Sequence, residues 1–213
     1  FHYEVLPFTG VAYDSYELAD IEDEHLPDYK VYIFPNAFTL SEERREAIKR
    51  KVRRAGKTAI WLYAPGYYRH GKGSAANIEE LTGIHVKENY PVKSSLLTRT
   101  FTIDGDSTIS TNGWRSVYLT TPKVETPDIA WDIAMLRKAF VEAGVHIWTE
   151  TQEVVAAGRG YLMVHAVSDG EKIIHLPLRC DVDEVYNARS SLKSVTEFKD
   201  VFRLGETRIY RLR

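Results

Sequence analysis

The sequence predicts an α/β fold, with an open parallel sheet and flanking helices, followed by a small antiparallel β domain that resembles a sandwich. Two observations lead to this prediction. As far as residue 144, apolar runs alternate with helical patterns over short connections, which is typical of a doubly wound sheet. From residue 145 onward, the helical period ends and short alternating runs are separated by turn residues. We therefore predict one domain over residues 1–145 and a second over residues 146–213.

The first two strands and the helix between them show the clearest pattern. VYIFPN (31–36) is a compact strand-like run, and a helix follows with Ser41 as its N-cap, glutamates in its first turn and Gly56 as its stop. Its apolar positions form one narrow stripe: Ala47, Ile48, Val52 and Ala55. KTAIWLYA (57–64) is almost wholly apolar, which favours a strand covered on both faces of a parallel sheet.

Further elements follow along the chain. SAANIEELTG predicts a short helix that ends at Gly83, and VYLTT (117–121) predicts a strand. Residues 126–144 form the strongest helical pattern, with Thr126 as N-cap, Pro127 in the first turn and Gly144 at the end. One side of this helix is apolar, at Ile129, Ile133, Leu136 and Phe140. The strand-like runs of the second domain are EVVAA, GYLMVHAVS, KIIHLPL, DEVYNA, VTEFKDVF and ETRIYRL.

Composition excludes several classes of partner. The 213 residues carry 28 basic and 30 acidic side chains, a formal net charge of −2, so we expect no nucleic-acid partner. No apolar run approaches the roughly 18 residues that span a bilayer, so we expect no membrane partner either. The single cysteine, Cys180, fits a reducing compartment, and a cytoplasmic location is favoured. Because the sequence opens with Phe1 in mid-element, we expect a fragment of a longer polypeptide.

The glycine-rich loop GYYRHGKGS (66–74) is the first candidate site. A phosphate-binding loop needs Ser or Thr directly after its lysine, but Gly73 follows Lys72 and Ser74 comes one residue late. The loop is therefore predicted to be a strand-to-helix crossover. Loops at the carboxyl ends of parallel strands are where open sheets bind ligands. Its polar cluster is a candidate to contact a sugar or a neighbouring subunit, through Tyr67, Tyr68, Arg69, His70 and Lys72.

No common catalytic pattern is found elsewhere. The strand ending at Ala64 is not followed by a G-x-S-x-G or G-x-C-x-G elbow, and Cys180 lies within the β-rich tail. The seven histidines show no H-x-H or H-E-x-x-H spacing, and the carboxylates form no clear pair. We therefore predict no catalytic residue, no metal site and no cofactor.

The order of these parts resembles a known family. LPDYKVYIFPNAFTLSEERREAIKRKVRRAGKTAIWLYAPGY is similar to the trimerisation domain that follows the TIM barrel in bacterial β-galactosidases. That domain has the flavodoxin-like sheet of class I glutamine amidotransferases. The tail, GVHIWTETQEVVAAGRGYLMVHAVSDGEKIIHLPL and GETRIYRL, is similar to the small β domain that ends those enzymes.

The resemblance implies a scaffold without catalytic residues. The catalytic glutamates of the family lie in the barrel, which this chain lacks. The amidotransferases carry a cysteine at the elbow, but here that position falls within residues 64–67 and holds none. The resemblance also implies that the first strand of the sheet is missing, since the chain enters at VLPFTGVAYDSYEL.

Three functional hypotheses remain at this point. The leading one is a non-catalytic C-terminal portion of a glycoside hydrolase, which forms a homo-oligomer or joins the remainder of a longer polypeptide, with the 66–74 loop at the rim of a neighbour's active site. The alternative is a carbohydrate-binding module, in which Tyr67, Tyr68 and Trp114 form a stacking platform. The third is a hydrolase or transferase that uses His70 and Lys72.

Overall fold

The chain forms two compact units. A computed structural model describes residues 1, 4–89, 100–119, 129–186 and 191–213, with the backbone alone for residues 129–132. The α/β unit comprises residues 16–127, and the β-rich unit comprises residues 1–15 together with residues 128–213. The β-rich unit thus includes the helix that begins at Ile129, which the sequence pattern assigned to the α/β domain.

The described residues of the α/β unit form eight strands, two α-helices and a 3-10 helix at Leu18–Glu22. Its strands are β1 (Val31–Phe34), β2 (Thr58–Leu62), β3 (Tyr68–Arg69), β4 (Lys72–Gly73), β5 (Val86–Asn89), β6 (Thr100–Ile103), β7 (Thr108–Thr111) and β8 (Trp114–Leu119). Its helices are α1 (Glu42–Val52) and α2 (Ala75–Thr82).

The main sheet of this unit has the order β1-β2-β8-β7. β1, β2 and β8 are parallel, as the alternation of strands and helices predicted. β7 runs antiparallel to β8 at one end of the order, so the sheet is mixed. All five residues of β2 are buried, which confirms that this apolar run is covered on both faces.

Local signals place the two helices of the α/β unit. Ser41 caps α1 by accepting a hydrogen bond from the Arg44 amide at 3.2 Å. Ala47, Ile48 and Val52 are buried as predicted, whereas Ala55, predicted in the same stripe, lies beyond the end of the helix and is exposed. The helix ends at Val52 because Arg53 leaves the helical region, so the predicted stop at Gly56 was wrong by one turn. α2 begins after Ser74 and ends before Gly83, both as predicted.

A stacked aromatic pair lies at the centre of this unit's core. The rings of Phe34 and Trp61 are 4.6 Å apart and nearly parallel. The Trp61 indole donates to the Ser116 hydroxyl at 2.8 Å, and that hydroxyl donates to the Thr82 carbonyl at 2.6 Å. This chain of hydrogen bonds fixes β2, β8 and the end of α2 relative to one another, and it satisfies polar atoms that are buried.

The β-rich unit begins with a 3-10 helix at Leu6–Thr9 and includes α3 (Ile129–Glu142). The Arg137 side chain on α3 donates to the carbonyls of Thr9 and Thr149, at 3.2 and 2.9 Å. The Trp148 amide donates to the Gly10 carbonyl at 2.7 Å, so the N-terminal segment belongs to this unit. The buried stripe of α3 is confirmed at Ile133, Leu136 and Phe140, whereas Thr126, Pro127 and the Ile129 side chain lie outside the described residues.

Five antiparallel strands follow among the described residues, in the order β12-β11-β13-β10-β9. They are β9 (Val154–Gly158), β10 (Tyr161–His165), β11 (Gly170–Glu184), β12 (Ser191–Phe202) and β13 (Thr207–Leu212). The runs KIIHLPL and DEVYNA were predicted as separate strands, but β11 contains all of the first run and the first two residues of the second. A register shift between His175 and Cys180 accommodates Pro177, because a bulge is one of the few places where a strand tolerates proline.

The described strands of this unit form one sheet rather than the two facing sheets of a sandwich. The reason lies in β11, which is 15 residues long. Its length lets it pair with β12 along one edge and with β13 along the other, so all five strands join one ladder. The core of this unit includes Leu162, Val164, Phe202 and Tyr210, each at most 2% exposed.

One ion pair in this unit is buried. The Lys172 ammonium lies 2.7 Å from a carboxylate oxygen of Glu153 and donates to the Ser168 hydroxyl at 2.6 Å. Both charged side chains are almost fully enclosed, at 4% and 0% exposure. Each charge therefore depends on the other for the solvation that water would otherwise supply.

In the described part of the chain, no helix combines the length and the apolar character that crossing a bilayer requires.

Removing one partner of the buried pair should destabilise the protein strongly. Lys172→Met leaves the Glu153 carboxylate buried without its cation, so we expect the free energy of unfolding to fall by about 3–5 kcal/mol. Denaturant unfolding of the whole chain measures this loss. Lys199→Met is the matched control, because Lys199 pairs with Glu171 at 2.8 Å on the surface and its loss should change little. Equal losses in the two variants would contradict the role of burial.

Asp200 should contribute to the pH dependence of stability. Burial alone would raise its pKa, but hydrogen bonds from Arg208, Tyr210 and the Val201 amide lower it below the ordinary value. Folding lowers the pKa of this carboxyl, so the carboxyl stabilises the folded protein at every pH above its pKa in the unfolded chain, about 3.9. This contribution is lost as the pH falls through the pKa that the carboxyl has in the folded protein. The difference in unfolding free energy between wild type and Asp200→Asn should therefore shrink below about pH 4. A difference in unfolding free energy that stays constant from neutral to acidic pH would contradict this contribution of Asp200.

Candidate functional site

The predicted crossover loop is a tight β-hairpin. β3 and β4 pair antiparallel, with Tyr68 opposite Gly73 and Arg69 opposite Lys72. The two residues between the strands, His70 and Gly71, both have positive φ, at 49° and 75°. Two left-handed residues define the type I′ turn, whose twist matches that of the flanking strands. The sequence did not reveal this hairpin, because histidine is an uncommon residue at the first of these positions.

The ring of Tyr67 fills the inside of the hairpin. Its side chain is 2% exposed, and its hydroxyl donates to Glu88 at 2.5 Å. A Cβ atom added at Gly73 would overlap the Tyr67 ring, so Gly73 is required by this close approach. The concave space that a phosphate group would need is therefore occupied by an aromatic side chain.

A buried arginine fastens the hairpin to both helices. Arg45 lies on α1, is fully buried, and donates to the Gly66 carbonyl at 2.7 Å. It also donates to the Asn77 carbonyl at 3.0 Å and to the Glu80 carboxylate at 2.9 Å, both on α2. Gly66 has φ 66°, and a Cβ atom there would lie 2.9 Å from the Arg45 guanidinium. The guanidinium therefore fixes the position of the chain after β2.

The outer side of the hairpin is charged. The Arg69 guanidinium makes a bidentate contact with the Glu42 carboxylate, at 2.7 and 2.6 Å. Arg69 lowers the pKa of Glu42, and Glu42 in turn raises the pKa of Arg69, so both remain ionised. At the tip, His70 is 72% exposed and lies 3.4 Å from Glu42, and Lys72 is exposed. The tip therefore presents His70 and Lys72 to solvent.

Tyr63 directly follows β2 and has a strained backbone. Its φ is 62°, which is unfavourable for a bulky side chain. A turn of this kind, just after a parallel strand, carries the nucleophile in hydrolases with an elbow. Here the position carries a phenol ring, which packs edge-to-face on Phe38 and Phe101 at 5.3 and 5.4 Å. The structure thus has an elbow-like backbone without a nucleophile.

These rings form one aromatic cluster, which comprises Phe38, Tyr63, Tyr67, Tyr68 and Phe101. Phe38 follows β1 and the tyrosines follow β2, so the cluster lies at the carboxyl ends of two parallel strands. Open sheets bind their ligands at this edge. In this protein, apolar side-chain packing occupies the edge instead.

Trp114 does not belong to the hairpin region that contains the other candidate residues. It begins β8, is 5% exposed, and packs against the Arg53 guanidinium, which lies 5.7 Å from the ring centroid. The hairpin brings together the other five candidates. Of the three aromatic rings considered for sugar stacking, Tyr68 alone has a partly exposed side chain.

The described residues form neither a metal site nor a reactive thiol. Within residues 1, 4–89, 100–119, 129–186 and 191–213, no three His, Cys, Asp or Glu side chains are grouped to hold a metal ion. Cys180 is half-buried in β11, and burial together with Asp181 raises its pKa, so it remains a thiol.

Two residues that organise this region were missed in the sequence. The sequence could have indicated that Arg45 is buried, because Arg45 has the helical spacing of the buried positions Ile48 and Val52 and so places a charge in an apolar stripe. No sequence feature indicates the role of Tyr63, since nothing in IWLYAPGY distinguishes a strained tyrosine from the last residue of a strand.

Comparisons with known proteins identify the fold. No protein-family model matches the chain, and no curated protein matches it. Among solved structures, a β-galactosidase from Bacillus circulans sp. alkalophilus matches with a TM-score of 0.59 and 13% identity, over 90% of this chain and 34% of that chain. A catalytic mutant of Gan42B, a GH42 β-galactosidase from G. stearothermophilus, matches at 0.56 and 12% identity, over 87% and 32%. A polyextremophilic β-galactosidase from the Antarctic haloarchaeon Halorubrum lacusprofundi matches at 0.53 and 13%, over 89% and 32%.

The fold is therefore one that occurs within β-galactosidases. Nearly all of this chain is matched, but it spans only about a third of the length of the enzymes to which it is similar. At 12–13% identity, the match concerns the fold.

The contact between Gly66 and Arg45 can be tested with two glycine variants. Gly66→Ala and Gly56→Ala both place alanine at a left-handed position, at φ 66° and 77°. At Gly56 nothing lies within 4 Å, so the expected loss is the backbone cost alone, about 1–2 kcal/mol. Gly66→Ala also displaces the Arg45 guanidinium, so its loss of unfolding free energy should be larger by about 1–3 kcal/mol. Equal losses in denaturant unfolding would show that Arg45 does not constrain the loop.

Proposed function

We propose that this chain is the non-catalytic C-terminal portion of a glycoside hydrolase, and that it holds subunits together and supports the catalytic barrel. One observation carries the proposal: 87–90% of the chain matches β-galactosidase structures, but the match covers only 32–34% of those enzymes. In this proposal the remaining two-thirds of the parent protein contains the catalytic residues.

Within this proposal, the α/β region is a flavodoxin-like, glutamine-amidotransferase-like domain of the trimerisation type, and the tail is a separate β domain. The scaffold role is also supported by the aromatic cluster, because apolar rings occupy the edge at which open sheets bind substrates.

The tip of the hairpin is the proposed contact with a neighbouring subunit. His70 and Lys72 are exposed there, and the turn that carries them is held rigidly by the Arg69–Glu42 pair and by buried Arg45. A rigid, charged projection can dock on a partner with little loss of conformational entropy. We also propose that the parent protein is cytoplasmic.

Two measurements on the isolated chain test this function. We expect no hydrolysis of a chromogenic β-galactoside, because in this proposal the catalytic carboxylate pair lies in the remainder of the parent protein. We expect sedimentation to give a multiple of the 24.4 kDa chain mass, with a trimer favoured. Lys72→Glu should weaken the association, whereas Lys138→Glu, at an exposed lysine on α3, should leave it unchanged.

Either of two outcomes would contradict the proposal. Turnover that survives purification and is lost in His70 or Lys72 variants would favour a hydrolase or transferase. A monomer at every concentration tested would remove the oligomerising role. Sugar binding that is lost in Tyr68→Ala would instead support the carbohydrate-binding module based on the 66–74 loop.

A further inference from the structure

Four side chains form a continuous row across the sheet of the β-rich unit. Tyr161 on β10 lies opposite Arg211 on β13, and Arg211 lies opposite Asp183 on β11. Asp183 in turn lies opposite Ser191 on β12. Directly opposed residues of neighbouring strands project from the same face of a sheet, with Cβ atoms roughly 5 Å apart. An aromatic ring, a guanidinium, a carboxylate and a hydroxyl are therefore held side by side on regular structure.

This row lies on the outer face of the sheet. The adjacent residues along the strands, Leu162, Tyr210 and Val182, are each at most 2% exposed and belong to the core. Tyr161 is 47% exposed. The row lines an open cavity of about 500 Å³, to which Arg213 and Val185 also contribute. That volume lies within the range of small-ligand pockets, roughly 300–1,000 Å³.

The polar groups of the cavity are held in position before any ligand arrives. Ser191, followed by the two arginines, lowers the pKa of Asp183, so this carboxyl is ionised at neutral pH. The Arg213 guanidinium contacts the carboxylate directly, and that of Arg211 lies 3.6 Å away. The backbone of Arg213 is fixed as well, because it exchanges two hydrogen bonds with Asp181, at 2.7 and 2.9 Å.

The charges on the side chains that line the cavity balance. Arg211 and Arg213 contribute two positive charges, and the two lining carboxylates, Asp183 and Glu184, contribute two negative charges. A site with no net charge gives no strong preference to an anion or a cation. Its paired donors and acceptors instead suit hydroxyl groups, each of which both donates and accepts a hydrogen bond.

The aromatic end of the row completes the chemistry of a sugar site. One face of a pyranose ring presents C–H groups, and these pack against an exposed aromatic ring, while the hydroxyl groups around the edge require polar partners. Tyr161 supplies such a ring, and exposed Val185 adds apolar surface to the same cavity. Arg211 and Asp183 follow Tyr161 in the row at the distance of neighbouring strands.

We propose that this cavity binds a neutral saccharide, with its ring on Tyr161 and its hydroxyl groups on Asp183, Arg211 and Ser191. The site shares no residue with the 66–74 hairpin, and its lining residues all belong to one compact unit. The inference goes beyond the scaffold role and does not rest on it, because the residues that carry it lie on β10, β11, β12 and β13 or directly follow β11 and β13.

Titration calorimetry on the full 213-residue chain tests this site. The probes are lactose, β-1,4-galactobiose, cellobiose and maltose, with sulfate as an anionic probe. At least one disaccharide should bind. Tyr161→Ala should weaken that binding at least tenfold, whereas Tyr161→Phe, which keeps the ring, should change it less than about twofold. Tyr16→Ala is the matched control, because Tyr16 is 48% exposed but lies in the other unit, and its affinity should equal that of wild type.

Three results would overturn the proposal. The first is no heat of binding with any of the four disaccharides at millimolar concentration. The second is binding that survives Tyr161→Ala but disappears in Tyr68→Ala, which would assign the sugar to the hairpin. The third is Tyr161-dependent binding of sulfate in place of disaccharides, which would identify an anion site. Circular dichroism and denaturant unfolding of each variant separate loss of the site from loss of the fold.

Discussion

The α/β unit depends on one buried cation. The Arg45 guanidinium holds the chain after β2 against both helices, and it does so from a fully buried position, where an unpaired charge would be very costly. Its three partners determine where Gly66 lies, and Gly66 determines where the Tyr67 ring enters the hairpin. The aromatic cluster at the carboxyl ends of β1 and β2 is therefore a consequence of an ion held inside the protein. That cluster occupies the place where folds of this kind usually receive a ligand.

The two units carry their exposed chemistry in different ways. In the α/β unit, buried side chains fix a small hairpin whose charged tip faces solvent. In the β-rich unit, the alternation of the strands separates a core of Leu162 and Tyr210 from an outer row that begins at Tyr161. The first arrangement suits contact between proteins, because the projection is rigid and charged. The second suits a small polar ligand, because different functional groups are held at fixed spacing on a sheet.

The parts that could be predicted from the sequence are those with local causes. Ser74 and Gly83 determine both ends of α2, and the unbroken apolar run of β2 indicates burial on both faces. Long-range pairing leaves no such signal. KIIHLPL and DEVYNA looked like two strands because a proline lies near the end of the first run and the polar residues 179–181 follow it, yet β11 continues through this stretch with shifts of register. The apolar stripe of α3 predicted which side is buried but not the unit with which the helix packs. The row from Tyr161 to Ser191 depends on the register of four strands, which no single stretch of sequence determines.

The backbone of Tyr63 has one more consequence. A left-handed conformation at a bulky residue costs about 1–2 kcal/mol, and here no bond-making group uses it. The main chain nevertheless has the sharp turn that would present a reactive side chain above the sheet. An engineer who wished to install new chemistry would therefore begin with a suitable peptide geometry, and the obstacle would be the rings of Phe38 and Phe101 that crowd the approach.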